Sequence, residues 1–280
     1  MNDLDPLLAM MERLLATMEH AFPKKLETDW EGIAFRWVKS RGLLRVLHPH
    51  DIRLENLKGI DRQIGLIEDN TRQFVNGLPA NNVLLTGARG TGKSSLVKAL
   101  LNRYSDRGLR LVEVEKKDLV DLPEIIEAIE GRKERFVIFC DDLSFDQDEG
   151  GYRELKVVLD GSVSTAPENI LVYATSNRRH LMPEYMSENL ETKYLGDEIH
   201  PGETVEEKVS LSERFGLWVS FHPFDQEGYL SIVAQWLDHF DVKERRGFRK
   251  AALQWALDRG SRSGRVAWQF ARDWAGKKKG

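Results

Sequence analysis

The chain has 280 residues, with 41% hydrophobic and 31% charged side chains, which is an ordinary globular composition with enough apolar material for a core. Its 41 Lys and Arg residues against 45 Asp and Glu residues leave a formal net charge of −4, which argues against a wholly basic nucleic-acid-coating surface. The single cysteine, Cys140, excludes an intrachain disulfide. No apolar run of about 18 residues predicts a membrane span, and no secretory signal is evident, so we expect a cytoplasmic protein.

Residues 1–50 are predicted to form an N-terminal helical extension. Within it, residues 7–22 repeat apolar side chains at three- and four-residue spacing, which indicates an amphipathic helix. That helix would pack on its own domain or, alternatively, dock a partner. Residues 28–50 contain aromatic residues among charges but show no clear helix or strand period.

Residues 51–223 show the alternation of an α/β domain. Short β-rich apolar runs are separated by segments with helical periodicity; the runs are 83–85, 109–114, 136–140, 170–174 and 217–221. Alternating strands and helices predict a parallel sheet covered by helices on both faces.

The strands stop after Pro223, and residues 224–280 are predicted to form a helical lid domain. Three helices are expected there, over residues 225–240, 244–259 and 263–275, with breaks at Asp241 and Gly260.

The strongest motif is a phosphate-binding loop of the form G-x-x-x-x-G-K-[ST]. It consists of Gly87, Ala88, Arg89, Gly90, Thr91, Gly92, Lys93 and Ser94, and Ser95 follows it. Glycines let backbone N–H groups converge on phosphate oxygens, and the N-terminus of the following helix favours the same anion. We expect Lys93 to reach the β- and γ-phosphates of ATP and Ser94 to bind Mg²⁺. A chance glycine-rich turn is the alternative, which the preceding strand and following helix disfavour.

An acidic pair ends the apolar run 136–140. Asp141 is a candidate Mg²⁺ ligand, since an acid delivered by a central strand beside a phosphate loop holds the metal in such enzymes. Asp142 would orient or deprotonate the attacking water. Alternatively, the two acids simply terminate a strand.

These motifs, together with four further segments, resemble the AAA+ ATPases over roughly residues 51–275. The segments are 57–61, 174–177, 212–216 and 263–265. The resemblance implies five parallel strands in the order 5-1-4-3-2, adenine contacts near Gly59 and Ile60, and a polar "sensor 1" at Asn177. It further implies an arginine finger at Arg214 and a "sensor 2" arginine at Arg265. For either arginine the alternative is a surface or interdomain salt bridge.

More narrowly, residues 79–87 and 209–216 resemble a bacterial family of AAA+-type ATP-binding proteins labelled only as a domain of unknown function. The resemblance implies ATP and Mg²⁺ between core and lid, with hydrolysis assisted by Lys93, Asp142, Asn177 and Arg265. Arg214 would act from a neighbouring subunit, which implies a homo-oligomer such as a ring.

Two departures from the superfamily bear on function. Asp142 stands where a longer Glu is usual, and residues 115–121 lack a pore-loop aromatic residue, which argues against a peptide-threading unfoldase. We therefore expect a slow Mg²⁺-dependent ATPase that couples nucleotide state to remodelling of an unidentified protein partner. The alternatives are a nucleotide-dependent switch or loader that recruits a protein or DNA partner with little turnover, and a metabolic kinase. DNA contact is not favoured, because the loop after Asp142 is acidic.

Overall fold

A computed structural model describes residues 27–144, 151–160, 167–177, 193–195, 198–200 and 211–279. The helix predicted over residues 7–22 lies outside these residues. None of the described helices combines the length and the apolar character that a membrane span requires.

The described strands form one large sheet and one small one. Strands of the large sheet are β1 (Ala34–Val38), β2 (Gly42–Arg45), β3 (Val83–Gly87), β4 (Leu109–Glu113), β5 (Arg135–Cys140), β6 (Ile170–Ser176) and β9 (Leu217–Phe221). Their spatial order is β2-β1-β4-β5-β6-β3-β9, and all neighbours are parallel except β1 and β2. The short strands β7 (Lys193–Leu195) and β8 (Glu198–His200) pair antiparallel with each other.

The expectation of a five-stranded sheet is wrong in its count, because residues 34–45 form a hairpin that extends the sheet beyond β4. The five expected strands form the remaining block, β9-β3-β6-β5-β4. The expected helical extension is corrected over these same residues. Phe35 and Trp37 alternate into the core, and the buried Trp37 indole donates to Asp121 Oδ2 at 3.0 Å. A strand of only five residues with a charged residue at its centre leaves too short an alternation to predict.

Helices cover the sheet and form the lid. Those of the α/β unit are α1 (Asp61–Val75), α2 (Lys93–Tyr104), α3 (Leu122–Ile129) and α4 (Tyr152–Asp160), and those of the lid are α5 (Gln226–His239), α6 (Phe248–Asp258) and α7 (Gly264–Lys279). The three lid helices match the expectation from periodicity. Asp241 and Gly260, with φ of 53° and 62°, lie just beyond the ends of α5 and α6 in the left-handed conformation typical of helix ends.

Two apolar clusters occupy opposite faces of the sheet, and a third forms the interior of the lid. Leu84 of β3 belongs to one cluster, whereas its neighbours Val83 and Leu85 belong to the other, because successive strand side chains point to opposite faces. Phe224 packs against both the second sheet cluster and the lid cluster. The lid is therefore joined to the sheet by apolar packing at a residue shortly before its first helix.

Candidate nucleotide-binding site

The predicted phosphate loop connects β3 to α2, and its backbone requires glycine. Gly87, Gly90 and Gly92 have φ of 129°, 73° and 103°, which lie where L side chains are strained. A Cβ atom on Gly87 would lie 1.9 Å from the carbonyl oxygen of Phe221. The loop can therefore approach its neighbours closely only because these positions carry no side chain.

Lys93 lies against the backbone of this loop. Its side chain is buried, with the residue 5% exposed, and Nζ donates to the carbonyl oxygens of Gly87 and Ala88 at 2.7 and 2.8 Å. It also donates to Asn177 Oδ1 at 3.1 Å. Burial lowers the pKa of Lys93, and the nearby Asp141 and Asp142 carboxylates oppose that shift. A partly desolvated ammonium group is thus held where it can serve phosphate oxygens.

The residues of the loop that are not glycine differ in burial and in hydrogen-bond partners. Thr91 is buried, and its Oγ1 donates to the carbonyl oxygen of Ala88 at 2.8 Å. The Arg89 side chain is exposed and directs Nη2 toward Asp142 Oδ2 at 3.4 Å. Ser95 lies in the first turn of α2, half-buried beside Ser94. The predicted cofactor-binding residues of the loop are therefore contiguous with α2, and Arg89 links the loop to the acidic end of β5.

The predicted metal ligands meet at the carboxyl ends of β5 and β6. Ser94 Oγ donates to Asp141 Oδ1 at 2.6 Å, and Thr175 Oγ1 donates to the same oxygen at 2.6 Å. Thr175 Oγ1 also accepts the backbone N–H of Asp142 at 2.9 Å. The sequence did not predict Thr175 as part of the site. The register of the parallel strands indicates this contact. Cys140 pairs with Ala174, so the next residues, Asp141 and Thr175, are adjacent.

Asp142 adopts a left-handed backbone conformation, with φ of 55°. Its Oδ1 accepts a hydrogen bond from Asn177 Nδ2. Left-handed backbone is several-fold more frequent for Asp and Asn than for most residues with a Cβ atom. This preference gives a physical reason for Asp instead of Glu at this position. The structure thus brings Asp142 and Asn177, both predicted catalytic residues, into direct contact.

The lid contacts the loop through the start of α7. The backbone N–H of Gly264 donates to the carbonyl oxygen of Gly90 at 2.8 Å, and a Cβ atom on Gly90 would lie 2.8 Å from Ser263 Oγ. Arg265 follows directly, and its own Cβ lies 3.4 Å from the position of that added atom. The Arg265 side chain is exposed and makes no hydrogen bond or ion pair within the part of the chain that the structure describes.

The segment predicted to contact adenine lies beside the loop and the lid. A Cβ atom on Gly59 would lie 3.2 Å from the ring of Phe224, and one on Gly92 would lie 3.1 Å from Ile60 Cδ1. The ring of Phe224 also lies 3.9 Å from the position of a Cβ on Gly264. The sequence did not single out Phe224, although an aromatic residue immediately after Pro223, at the junction of core and lid, was a usable signal.

Arg214 is held by the last residue of α4. Its Nε lies 2.5 Å from Asp160 Oδ1, and the Arg214 side chain is mostly buried. This ion pair within one chain agrees with the alternative role for Arg214, which is a salt bridge and not an arginine finger. A role of Arg214 toward a nucleotide on a neighbouring subunit stays a prediction.

The residues present fit a nucleoside triphosphate with a divalent cation. Ser94 and Asp141 place a hydroxyl and a carboxylate side by side, and hard oxygen ligands are those that Mg²⁺ prefers. The glycine cradle, a buried Lys93 and the N-terminus of α2 all favour phosphate oxygens. The phosphate-loop sequence and the fold are together those of an AAA+-type P-loop protein.

Comparison with known proteins identifies the sequence family of the chain. The chain belongs to the family described as "Protein of unknown function (DUF815)", whose sequence profile matches residues 31–278. No protein with a curated description matches the sequence.

Among solved structures, the chain is similar to the RuvB Holliday junction branch migration motor of Thermotoga maritima. The identity is 17% and the TM-score 0.52, with 79% of this chain and 63% of that chain covered. A lysine-to-arginine point mutant of the same RuvB is 16% identical, with a TM-score of 0.50, and the match covers 79% of this chain and 63% of that one. This chain therefore spans less than two thirds of the RuvB chain, and at such identity the likeness shows the fold alone.

Proposed function

We propose that this protein binds ATP with Mg²⁺ between the α/β unit (residues 51–223) and the lid (residues 224–280) and hydrolyses it slowly. In this proposal the nucleotide state is coupled to remodelling of an unidentified protein partner. The observation that carries the proposal is the convergence of three elements on one point. Lys93 of α2 contacts the loop carbonyls and Asn177, which follows β6, while Ser94 of the same helix contacts Asp141, which follows β5.

Each binding residue has a role that follows from its chemistry. The loop N–H groups and Lys93 would hold the phosphates, and Gly59 and Ile60 would flank the base beside Phe224. Ser94 and Asp141 would hold Mg²⁺. When bound, Mg²⁺ supplies positive charge that neutralises the phosphate oxygens during transfer.

Two of the catalytic roles rest on side chains that are in direct contact, those of Asp142 and Asn177. Asp142 would accept a proton from the attacking water, and Asn177, which donates to it, would orient that water. Arg265 would bring positive charge from the lid. Arg214 would act on a nucleotide bound by an adjacent subunit, so that a homo-oligomer such as a ring forms the complete site. A finger supplied in this way contributes about 10³–10⁵ in rate in related phosphoryl-transfer enzymes.

A second candidate function is a nucleotide-dependent switch or loader with little turnover. One observation favours it: both oxygens of the Asp142 carboxylate are engaged, one by Asn177 and the other by Arg89. An attacking water that hydrogen-bonds to this carboxylate would therefore have to share or displace one of these donors. In this alternative ATP binding would change the lid angle and recruit a protein partner, with DNA less favoured. For either function we propose the cytoplasm as the compartment, because ATP is plentiful there.

The direct test is ATP binding by isothermal titration. We expect micromolar affinity in the unchanged chain and at least a ~100-fold loss in Lys93→Ala, because a buried cation that contacts the loop is removed. Lys98→Ala is the matched control: it removes a lysine from the same helix outside the loop and should change affinity less than about twofold. Retained affinity in Lys93→Ala would refute the proposed site. Steady-state phosphate release, measured with and without candidate partners, then separates the ATPase from the switch.

A further inference from the structure

We propose that Thr175 is a positioning residue that fixes the orientation of the metal-binding carboxylate of Asp141 and of the peptide that follows it. The inference deepens the proposed Mg²⁺–ATP site and rests on it. Thr175 lies at the carboxyl end of β6, in the sheet position next to the end of β5.

The direction of each hydrogen bond is unambiguous. An ionised carboxylate only accepts, so Thr175 Oγ1 must donate to Asp141 Oδ1, at 2.6 Å. A backbone N–H only donates, so the same Oγ1 must accept from Asp142, at 2.9 Å. The hydroxyl hydrogen is thereby committed to Asp141. The O–H···O⁻ separation lies in the short range typical of a charge-assisted bond.

The backbone of Thr175 continues the same contact. Its carbonyl oxygen accepts the N–H of Leu143 at 2.6 Å. Three consecutive residues, Asp141, Asp142 and Leu143, are thus held by one residue of the neighbouring strand. Thr175 is 1% exposed, so its side of these bonds is shielded from water, although Asp141 and Asp142 are themselves exposed.

Ser94 cannot replace this arrangement. Ser94 and Thr175 donate to the same oxygen of Asp141, but Ser94 belongs to α2 and is itself a proposed metal ligand. Thr175 belongs to the sheet and is not required for any other role in the site. Removal of its hydroxyl should therefore leave the phosphate loop intact while Asp141 loses its support from the sheet.

The test uses two substitutions of opposite chemistry. Thr175→Val preserves the branched shape without the hydroxyl, whereas Thr175→Ser preserves the hydroxyl. Two quantities are measured by titration: binding of a fluorescent ATP analogue in EDTA, and binding of Mn²⁺ to the ADP-loaded protein by electron paramagnetic resonance. Because metal-orienting partners typically contribute 10–100-fold to metal affinity, we expect Thr175→Val to weaken Mn²⁺ binding by about tenfold or more. Nucleotide affinity in EDTA should stay within about threefold.

Two control variants test whether the effect is specific to the hydroxyl of Thr175. Thr175→Ser should bind Mn²⁺ within about twofold of the unchanged chain. Ser176→Ala, which removes the neighbouring hydroxyl of β6, should do the same, since adjacent strand side chains point to opposite faces. Unchanged Mn²⁺ affinity in Thr175→Val, or an equal loss in Thr175→Ser, would overturn the inference. If Thr175→Val does not fold, as judged by thermal unfolding, Thr175→Ala is measured by the same criterion.

Failure of the proposed function gives a different result. In that case the unchanged chain itself binds no nucleotide analogue, or binds it with no effect of metal. If only the Thr175 inference fails, the unchanged chain binds the nucleotide in a metal-dependent way, and Thr175→Val binds Mn²⁺ with the same affinity as the unchanged chain.

Discussion

The backbone N–H of Gly264 donates to the carbonyl oxygen of Gly90 at 2.8 Å, so the first residue of the last lid helix is bonded directly to the phosphate loop. Both partners are main-chain groups, and the two residues are 174 positions apart in the chain. Gly90 has φ of 73° and faces Ser263, the residue before Gly264. The lid therefore contacts the phosphate loop through the backbone as well as through side chains.

Removal of this hydrogen bond should weaken nucleotide binding. Gly264→Pro deletes the donor, and proline is tolerated in the first turn of a helix. Since a net hydrogen bond is worth about 0.5–1.5 kcal/mol, we expect the ATP dissociation constant to rise by about two- to tenfold. Calorimetric titration measures it. Gly264→Ala is the control, because it adds a Cβ atom at the same position but retains the N–H. Equal affinities in the two variants would show that the bond does not contribute.

Substitution of Asp142 tests whether the protein is an enzyme. Asp142→Asn should lower the steady-state ATPase rate by at least about 100-fold, because the amide cannot accept the proton of the attacking water. ATP affinity should stay within about threefold. Asn also tolerates the left-handed backbone observed at φ of 55°, so folding should be preserved. An unchanged rate in this variant would favour the switch over the ATPase.

Arg214, which pairs with Asp160 in its own chain, can be tested for a role on a neighbouring subunit by mixing two variants. Arg214→Ala should leave ATP affinity unchanged and lower the hydrolysis rate by about 10³ if the arginine acts on the next subunit. Asp142→Asn inactivates a different residue of the site. Mixed oligomers of the two variants should therefore recover activity, because some interfaces then combine an intact Arg214 with an intact Asp142. Rates measured across mixing ratios that never exceed those of the separate variants would count against a finger supplied in trans.

Alkaline pH should destabilise the protein partly through Tyr173. Burial raises the pKa of Tyr173 to about 12, and its hydroxyl contacts Thr71 Oγ1 at 2.8 Å and accepts from Asn70 Nδ2 at 3.1 Å. Because the folded-state pKa lies above the unfolded value near 10, the neutral phenol contributes stability that is complete below pH ~10. That contribution is lost as pH rises from about 10 to about 12.

Tyr173→Phe separates this contribution from other alkaline effects. At neutral pH the variant should lose about 1–2 kcal/mol in free energy of unfolding, because Asn70 and Thr71 lose a buried partner. Between pH 10 and pH 12 the free energy of unfolding should fall less in this variant than in the unchanged chain. The difference between the two falls should be on the order of 2 kcal/mol. Urea denaturation at stepped pH gives both values. Parallel pH profiles would show that Tyr173 does not titrate as its burial implies.

Features of the site that depend on neighbouring residues in the chain were predictable. The glycine pattern of the loop, Lys93 and Ser94 at the start of α2, and Asp141 after an apolar strand are all local signals, and the structure places them together. The three lid helices were predictable for the same reason, since helical periodicity repeats within one segment. Asn177 was found through resemblance to a family and lies against Lys93 and Asp142.

Contacts between distant segments were decided only by the tertiary structure. A hairpin at residues 34–45 joined the open edge beyond β4, Thr175 came to lie between the groups of Asp141 and Asp142, and Phe224 packed between Gly59 and the lid. These contacts depend on which edge of the sheet stays free, on strand register and on how the lid packs against the core, and residue spacing alone encodes none of the three. The sequence by itself therefore determined the phosphate-loop motif and predicted the residues that the structure brings together around it. The folded chain determined what orients those residues, because orientation comes from hydrogen bonds and packing across elements that are far apart in the sequence.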